Sequence, residues 1–422
     1  MPWFKPSLVR LLSAAALALA SLAPSVALAA PPDSYIVVLH DSVANPGAVA
    51  ADMGRRHGGQ VGFVYEHALK GYSIAVAAQA VAGIARDPRV AFVERDQEVF
   101  AFQAASEVPT GVDRMEVDKK LDLANTAKTI DVDIAIIDTG INAHTDLNIY
   151  KKFNCSAGSP FKGSCKEGSA PDGNGHGTHV AGTAAAKDNG SGVVGVAPGA
   201  RLWAVKVLND QGTGYMSWIV AGIDKVTANA SQIEVANMSL GCECVSDAMN
   251  KALTNSTNAG VVYVVAAGNN AKDASTFSPA NHDQVIATSA VADFDGKAGG
   301  AGAQTCRADL DDTLADFSNF GSKVDIAAPG VCILSTWNNG GYNAISGTSM
   351  ASPHAAGAAA LYIVENSVAK SSTRWSMVRA GLQGVGWSVG PGDPCGFTNE
   401  KGSTERMLVL APCDIAIPLP TP

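Results

Sequence analysis

Hydrophobic residues in the second part of the chain fall into strand-length blocks. Near-continuous apolar blocks occupy residues 132–137, 203–208, 235–240, 261–266, 285–291 and 324–326. Segments with helical spacing lie between several of them, at residues 217–227, 245–258 and 349–365. Strands that are hydrophobic throughout and are linked by helices are typical of a parallel sheet covered on both faces. The pattern predicts a three-layer α/β fold with a mainly parallel central sheet, whose functional residues gather at the carboxyl ends of the strands.

A smaller unit precedes this domain. Residues 35–39, 71–76 and 90–93 are rich in β-branched and aromatic residues, and helical patterns at 48–57 and 77–85 separate them. This order predicts a compact α+β module of the ferredoxin-like type over residues 30–103. The module has no cysteine and no group suited to catalysis, so on its own it fits a binding module or an inhibitor. An extended segment, residues 98–105, leads from it into the larger domain.

The N-terminus has the pattern of a secretory signal. Lys5 and Arg10 precede the apolar run 11–22, and Ala27-Leu28-Ala29 is a small-x-small cleavage site. A membrane anchor fits less well, because Pro24 interrupts the run and no second hydrophobic span follows. We therefore expect a signal peptide at residues 1–29, cleavage after Ala29, and a secreted, extracellular protein. A proline-rich tail is expected at residues 414–422.

Composition narrows the choice of partners. The chain has 422 residues and 47% hydrophobic content, enough for one large domain and a smaller one. Only 16% of residues are charged and the formal net charge is -9, which argues against nucleic acid as a partner. We expect a monomer without a membrane span.

The eight cysteines all lie beyond residue 150. Since export permits disulfides, local pairs are expected: Cys155–Cys165, Cys306–Cys332 and Cys395–Cys413. Cys242 and Cys244 are too close in sequence to bridge comfortably, so the connectivity stays open. A Cys-x-Cys metal site is the alternative there, although no matching His/Cys pair lies nearby.

Candidate chemistry begins at Ser349, at the start of an alanine-rich helix. Gly347 allows a sharp turn before it, and Pro353 falls near the first helical turn, where a missing N–H costs least. Negative charge that develops beside this hydroxyl would be stabilised by the free N–H groups of the helix N-terminus. Taken alone, Ser349 is more simply a helix cap, so its role depends on partners elsewhere.

Two partners follow from the strand pattern. Asp138 ends the first strand before a glycine turn, and His176 opens a glycine-rich, small-residue helix. His176 and His179 could instead bind zinc, but no third ligand has a natural place. Together the residues predict that Ser349 attacks, His176 takes its proton and Asp138 orients the imidazole. Asn269 follows another strand, where its amide can join the Ser349 N–H as an oxyanion donor.

At these residues the chain resembles the subtilisin-like serine proteases, and within them the proteinase K group. The matching segments appear in the family order over nearly all of residues 105–410: Asp138-Thr139-Gly140, residues 176–183, Asn237-Met238-Ser239-Leu240-Gly241, Ala267-Gly268-Asn269 and residues 347–354. The resemblance implies an Asp/His/Ser endopeptidase domain over residues 104–413. It also implies that residues 30–103 are an inhibitory prodomain, removed by self-cleavage.

The resemblance implies how a peptide substrate is held. Gly212-Thr213-Gly214 and Ser239-Leu240-Gly241 are similar to the two edges that bind an extended peptide through its backbone. The main side-chain pocket would lie between the second edge and Ala266-Ala267-Gly268, whose small apolar residues suit an uncharged aliphatic or aromatic side chain. Cys242-Glu243-Cys244 departs from the family, which has a glycine there, so a disulfide or acidic rim would narrow the pocket or favour basic residues.

No cofactor is expected for catalysis. The resemblance implies a structural calcium ion bound by Asp325 with the carbonyls of Asp283 and Val285. An ordinary surface aspartate is the alternative for Asp325.

Three functions are compatible with these residues. The leading one is a secreted serine endopeptidase, made as a self-cleaving zymogen, with broad specificity and an apolar preference. The second is a processing protease of narrow specificity. The third is a non-catalytic binding protein on the same fold, which is disfavoured because no catalytic position is substituted. A lipase or esterase is disfavoured, because the segment around Ser349 lacks the second glycine of a nucleophile elbow.

Overall fold

The computed structural model describes residues 33–101, 104–105, 110–121, 129–156, 163–384, 386–390, 393–399, 401 and 404–412. The predicted signal peptide with its cleavage site, Gln103, Cys413 and the proline-rich tail lie outside these ranges.

The N-terminal unit, residues 33–95, is a four-stranded antiparallel sheet with two helices. Its elements are β1 (Asp33–Leu39), α1 (Pro46–His57), β2 (Gln60–Tyr65), β3 (Gly71–Val76), α2 (Ala78–Ala85) and β4 (Val90–Arg95). The strand order is β2-β3-β1-β4. Asn45 caps α1, since its side chain accepts a hydrogen bond from the Ala48 amide at 2.9 Å. The predicted α+β module is confirmed, with β2 as an additional strand.

The side chains of β1 point alternately to the two faces of the sheet, and this explains how so small a unit is stabilised. Val37 and Leu39 point into a core that α1 and α2 cover. Ile36 and Val38 point to the opposite face, where they join a hydrophobic cluster of the larger domain. The period of two in a strand gives the sheet two apolar faces, and the second face is buried only against the larger domain.

The larger domain is built on one long sheet. After the N-terminal unit the elements follow in chain order as β5 (Glu98–Ala101), β6 (Ala104–Ala105), α3 (Gly111–Arg114), α4 (Val117–Leu121), β7 (Asp133–Asp138), β8 (Ile149–Asn154), β9 (Lys166–Glu167), α5 (His176–Ala185), β10 (Arg201–Lys206), β11 (Thr213–Tyr215), α6 (Met216–Ala228), β12 (Val235–Met238), β13 (Leu240–Gly241), α7 (Asp247–Asn258), β14 (Val262–Ala266), a 3₁₀ turn (Ala274–Thr276), β15 (Val285–Ala292), β16 (Thr313–Leu314), β17 (Ile326–Pro329), β18 (Ile333–Thr336), β19 (Tyr342–Ser346), α8 (Thr348–Glu365), α9 (Arg374–Leu382), β20 (Ser388–Val389) and β21 (Arg406–Leu408).

The strand order of this sheet is β20-β21-β17-β15-β14-β12-β7-β10-β8-β9, with β16 paired to β15. Neighbours from β21 to β8 all pair parallel. Successive residues of β7 enter different clusters: Ile134 and Ile136 join the side covered by α5 and α8, and Ala135 and Ile137 join the side covered by α6 and α7. The three-layer, mainly parallel fold is therefore confirmed.

Helices α5 and α8 pack closely against each other on one face of the sheet. A Cβ atom at Gly357 would lie 3.0 Å from the Ala184 carbonyl oxygen, so the contact depends on the missing side chain. Gly357 lies eight residues after Ser349, and Ala184 lies eight residues after His176. The two helices, which carry the serine and the histidine at their N-terminal ends, are therefore in contact at points equally far along each of them.

Disulfides tie down several loops. Cys155–Cys165 and Cys306–Cys332 are both bonded. Cys242–Cys244, a pairing that the sequence left open, is also a disulfide: the chain bends at residues 243–244, and the two Cα atoms lie 5.3 Å apart, an ordinary distance for a bridge. Cys395 is disulfide-bonded, and its predicted partner Cys413 is outside the described ranges.

Among the helices of those ranges, none has the length and apolar character needed to cross a membrane.

Candidate active site

Asp138 and His176 are in direct contact in the interior. Asp138 is the last residue of β7, and its Oδ1 accepts a hydrogen bond from His176 Nδ1 at 2.8 Å. The same oxygen accepts the Thr139 amide at 2.7 Å, which fixes the carboxylate. Both side chains are fully buried. Because Nδ1 donates to the carboxylate, Nε2 is left as the nitrogen that can accept a proton.

Glycines and a second aspartate hold His176 in this place. A Cβ at Gly177 would lie 2.2 Å from the Gly140 carbonyl oxygen, so only glycine fits beside the Asp138 turn. Asp172 accepts hydrogen bonds from the Gly175 amide at 2.8 Å and from the Thr178 amide and hydroxyl at 2.8 and 2.6 Å. These bonds satisfy donors at the start of α5. Asp172 was missed in the sequence, where its place before a glycine-rich run was the only signal.

Ser349 lies in the first turn of α8, as predicted from the sequence. Its hydroxyl donates to the Ser239 carbonyl at 3.0 Å, and the Ser239 hydroxyl donates to the Ser349 carbonyl at 2.8 Å. Asn237 Nδ2 donates to the Ser239 hydroxyl at 2.9 Å, and Asn237 Oδ1 accepts from Ser352 at 2.7 Å. This buried network fixes the end of β12 against the start of α8. The roles of Asn237 and Ser352 in it were not predicted.

Asn269 has one half of its amide satisfied and the other half free. Its Oδ1 accepts from the Thr348 amide at 2.9 Å and from the Thr348 hydroxyl at 2.7 Å. Its Nδ2 is buried and has no hydrogen-bond partner among the described residues. A buried donor left without a partner is costly and calls for a ligand. The Asn269 amide, anchored to Thr348 next to Ser349 in the sequence, therefore has an N–H donor available for a ligand.

The predicted substrate edges enclose a strand of the chain itself. β5 lies between β11 and β13, antiparallel to both. Val99 pairs with Gly214 on one side, and Ala101 pairs with Leu240 on the other. Gly212 immediately precedes β11. After residues 102–103 the chain continues as β6, which pairs with β19, the strand that leads into Gly347 and α8.

The predicted pocket wall, Ala266-Ala267-Gly268, begins at the last residue of β14. Ala266 and Ala267 are buried. Gly268 has φ +107°, and a Cβ there would lie 2.3 Å from Asn319 Nδ2. Asn319 Nδ2 donates to the Ala267 carbonyl at 2.9 Å, and its Oδ1 accepts from the Asn270 and Lys272 amides at 3.0 and 3.1 Å. Asn319 thus braces the loop that carries Asn269, a role the sequence did not indicate.

Glu243, which forms the acidic rim next to β13, is paired with a positively charged side chain. Lys272 Nζ lies 2.7 Å from both carboxylate oxygens of Glu243, and the two side chains are about half exposed. The rim therefore has little net charge with which to attract a basic substrate side chain.

His179 is a structural residue. Its Nε2 bonds to the Ile333 carbonyl at 2.8 Å, and burial lowers its pKa to about 3.

Within the described ranges, the residues close enough together to hold a metal ion are Asp293, Asp295 and Asp311, not the histidines. Burial raises the pKa of Asp293 to about 7. This acidic cluster is a place where a structural cation of the kind found in relatives could bind.

Two of the oxygens expected from the sequence to bind calcium are in contact with an arginine. Asp325 Oδ1 and the Asp283 carbonyl both face Arg379, whose Nη1 lies 3.3 Å from the first and 2.9 Å from the second. Asp325 Oδ2 accepts the Ala287 amide at 2.9 Å. A cation at Asp283, Val285 and Asp325 stays a prediction, and in this structure a guanidinium group is hydrogen-bonded to two of the oxygens concerned.

Comparison with known families agrees with this geometry. Residues 129–383 match the model of the subtilase family, and residues 34–101 match that of the peptidase inhibitor I9 family. The first match includes Asp138, His176, Asn269 and Ser349. These matches concern the family as a whole, so membership of the proteinase K group stays a prediction.

Individual relatives are similar over most of the chain. The extracellular serine proteinase of Thermus sp. (strain Rt41A) is 40% identical over 312 residues, covering 72% of this chain and 69% of that protein. Subtilisin DY of Bacillus licheniformis is 41% identical over 263 residues, covering 61% and 85%.

Solved structures show the same fold. A cold-adapted subtilisin-like serine proteinase aligns with a TM-score of 0.50 and 31% identity over 67% of this chain and 89% of that one. Fervidolysin of Fervidobacterium pennivorans aligns with a TM-score of 0.66 over 90% and 60%, at 24% identity. The chain belongs to the subtilase family: it is a subtilisin-type serine endopeptidase with an N-terminal inhibitor I9 prodomain.

Proposed function

We propose that Ser349 is the nucleophile, His176 the general base and acid, and Asp138 the residue that orients and stabilises the imidazole. Asn269 Nδ2 and the Ser349 amide are the proposed oxyanion donors. The observation that carries this proposal is the buried 2.8 Å contact between Asp138 and His176 at the start of α5, the helix that packs beside α8.

In the first half of the reaction the Ser349 hydroxyl turns from the Ser239 carbonyl to His176. As Oγ forms a bond to the peptide carbonyl carbon, its proton passes to His176 Nε2. The carbonyl oxygen becomes an oxyanion that accepts hydrogen bonds from the two proposed donors. The C–N bond then breaks, and His176 returns the proton to the leaving amine.

The second half releases the acyl group. Water takes the place of the amine and gives its proton to His176 as it attacks the acyl carbon. The ester bond to Ser349 breaks, Oγ recovers the proton, and a free carboxylic acid leaves. Atoms and protons balance over the cycle without a cofactor.

The enzyme is made as a zymogen that cleaves itself. β5 fills the cleft between β11 and β13, so the full-length chain covers its own substrate edges. We place the cleavage within residues 102–103, between β5 and β6, with a prodomain over residues 30–103 and a catalytic domain over 104–413. Disulfides and the extracellular relative support secretion, after loss of a signal peptide at residues 1–29.

Specificity is proposed to be broad, with a preference for uncharged side chains. Ala266 and Ala267 line the predicted pocket, and Lys272 neutralises Glu243 at its rim. A narrow processing enzyme for basic sites is less well supported. Cleavage of a peptide library should show aliphatic or aromatic residues before the scissile bond, and a dominant requirement for lysine or arginine would reverse this choice.

The decisive test compares Ser349→Ala with Ser371→Ala, the same change at an exposed serine. An organophosphate should label the unmodified enzyme and Ser371→Ala but not Ser349→Ala, and only the last should remain at full length. N-terminal sequencing of the shortened forms should begin at Phe102, Gln103 or Ala104. If Ser349→Ala is still labelled and shortened in a protease-free host, the proposed nucleophile is wrong.

A further inference from the structure

Arg379 joins three separate elements of the larger domain. It lies in the last turn of α9, and its Nη1 donates to the Asp283 carbonyl just before β15 and to Asp325 Oδ1 just before β17. Its guanidinium stacks on Trp375, 4.7 Å from the ring centroid, which holds the group in one orientation. Just after α9, Gln383 Nε2 donates a hydrogen bond to the Asp325 carbonyl at 2.8 Å.

The oxygens that Arg379 contacts form a donor set suited to a hard cation. A carboxylate together with a backbone carbonyl is a common part of calcium sites, in which each oxygen lies about 2.3–2.6 Å from the ion. The Asp325 side chain is only 17% exposed, so its negative charge needs a nearby positive partner. Arg379 supplies that charge at 2.9 Å from the carbonyl and 3.3 Å from the carboxylate, and a metal ion could reach both oxygens only if the guanidinium left.

We propose that Arg379 takes the place of a structural divalent cation at Asp325. The guanidinium is covalently part of α9, so chelators cannot remove it. It holds the 283–285 loop, the start of β17 and α9 together, and this corner of the fold does not depend on metal. Removal of the arginine side chain should uncover the oxygen set and create a calcium site.

Lys323 provides a matched control. Its Nζ pairs with Oδ1 of the Asp283 side chain, which is 83% exposed, and not with the Asp283 carbonyl. Lys323→Ala and Arg379→Ala each remove one positive charge from the same region. Only Arg379→Ala vacates the space between the carbonyl and Asp325.

The experiment uses the full-length chain with Ser349→Ala, which prevents self-digestion. Arg379→Ala, Lys323→Ala, Asp325→Asn and Arg379→Lys are each added to it. Thermal unfolding in EDTA and in calcium chloride gives the Tm, and calorimetric titration with calcium gives the number of ions bound. Asp325→Asn shows whether the unchanged arginine site holds calcium, and it separates this site from the Asp293, Asp295 and Asp311 cluster.

We expect Asp325→Asn to leave the number of bound calcium ions unchanged. Arg379→Ala should lower the Tm in EDTA by several degrees, bind one additional calcium ion and regain part of the lost Tm in calcium. Lys323→Ala and Arg379→Lys should gain no ion. The proposal is overturned if Asp325→Asn reduces calcium binding, if Arg379→Ala has an unchanged Tm in EDTA, or if its response to calcium equals that of Lys323→Ala. The Asp325→Asn result decides the question even if Arg379→Ala does not fold.

Discussion

At the scale of single residues, Asn269 shows how a neighbour determines which end of an amide is available. Thr348 gives two hydrogen bonds to Oδ1, so the Nδ2 donor must face the other way, where it has no partner among the described residues. The free donor is pre-oriented, and in the proposed mechanism it gains its full hydrogen bond when an oxyanion forms beside Ser349.

We therefore expect Asn269→Ala to reduce kcat by roughly 10²–10³ with little change in KM, a magnitude taken from subtilisin, a relative of this enzyme. Steady-state kinetics on a peptide substrate measure both constants. Thr348→Val, which removes one of the two bonds that orient the amide, should give a smaller loss of kcat. A large rise in KM with unchanged kcat in Asn269→Ala would mean that the amide binds substrate and does not stabilise the transition state.

His354 gives a pH dependence that can be assigned to one residue. It is buried, bonds to the Met350 carbonyl at 2.8 Å, and burial lowers its pKa to about 4. In the unfolded chain the pKa returns to about 6.5. The unfolded state therefore binds more protons between these values, so the stability due to neutral His354 is complete above about pH 6.5 and is lost as the pH falls toward 4.

The test is the difference in unfolding free energy between the Ser349→Ala chain and the same chain with His354→Gln. That difference should shrink by about 2 kcal/mol between pH 7 and pH 5, because each pH unit contributes about 1.4 kcal/mol. Denaturant unfolding at the two pH values measures it. A difference that does not change with pH would show that His354 is protonated to the same extent in both states.

Sequence reasoning found residues whose chemistry is marked by their place at a strand or helix end. Asp138 and His176 were predicted in this way, and they touch. Thr348 and Arg379 were missed because each acts on a residue distant in sequence, Asn269 or Asp325. Nothing local distinguishes an arginine that fills a cation position from one that is solvated.

At the scale of elements, long apolar runs were predicted most accurately. The blocks at 235–240 and 285–291 correspond to β12 with β13 and to β15. The run at 324–326 was placed early, since β17 is Ile326–Pro329 and Val324 belongs to the turn before it. β2 was missed because most of its residues are exposed or half-buried, so its hydrophobic alternation is weak.

Helix α6 offers an anchor for the prodomain. Asp224 Oδ1 accepts the backbone amides of residues 66–68 at 3.1, 2.6 and 2.9 Å. Charged hydrogen bonds of this kind stabilise by about 1.5–3 kcal/mol, and each 1.4 kcal/mol changes a dissociation constant tenfold. In the proposed maturation these bonds are lost when the cleaved prodomain leaves.

We expect Asp224→Ala to release the cleaved prodomain roughly tenfold faster or more. The delay between cleavage on a gel and full activity on a peptide should shorten, while the final kcat/KM stays the same. Asp131→Ala, the same change at an exposed site of the larger domain, should leave the delay unaltered. An equal delay in both variants would mean that Asp224 does not help to retain the prodomain.

At the scale of the whole molecule, strand order is the feature that sequence pattern could not supply. β7, the first strand of the long sheet, lies between β12 and β10, so its neighbours come from much later in the chain. Asp138 ends this central strand, and there it contacts His176, which comes from a segment 38 residues later in the chain. Likewise, the extended segment 98–105 was recognised, but its insertion between β11 and β13 depends on a partner surface that forms only after folding.

The disulfides differ in how much of the unfolded molecule they restrict. Cys306–Cys332 spans 26 residues, Cys155–Cys165 spans 10, and Cys242–Cys244 spans 2. Loop-closure entropy gives stabilisations of about 3.5, 2.7 and 1 kcal/mol in that order. The shortest bridge therefore has mainly a local effect. It follows β13 directly, and Cys242 exchanges backbone hydrogen bonds with Ser278 at 3.0 and 3.1 Å.

Paired Cys→Ala replacements in the Ser349→Ala chain should lower the unfolding free energy in the same order, as measured by denaturant unfolding. In the active enzyme, Cys242→Ala with Cys244→Ala should act mainly by raising KM for peptides, because this bridge holds the end of a proposed substrate edge and restricts little of the unfolded chain. The Cys155 and Cys165 pair, distant in sequence from that edge, is the control and should leave KM unchanged. If loss of the Cys242–Cys244 bridge costs as much stability as loss of Cys306–Cys332 and does not alter KM, its role is global and the assignment to the substrate edge is wrong.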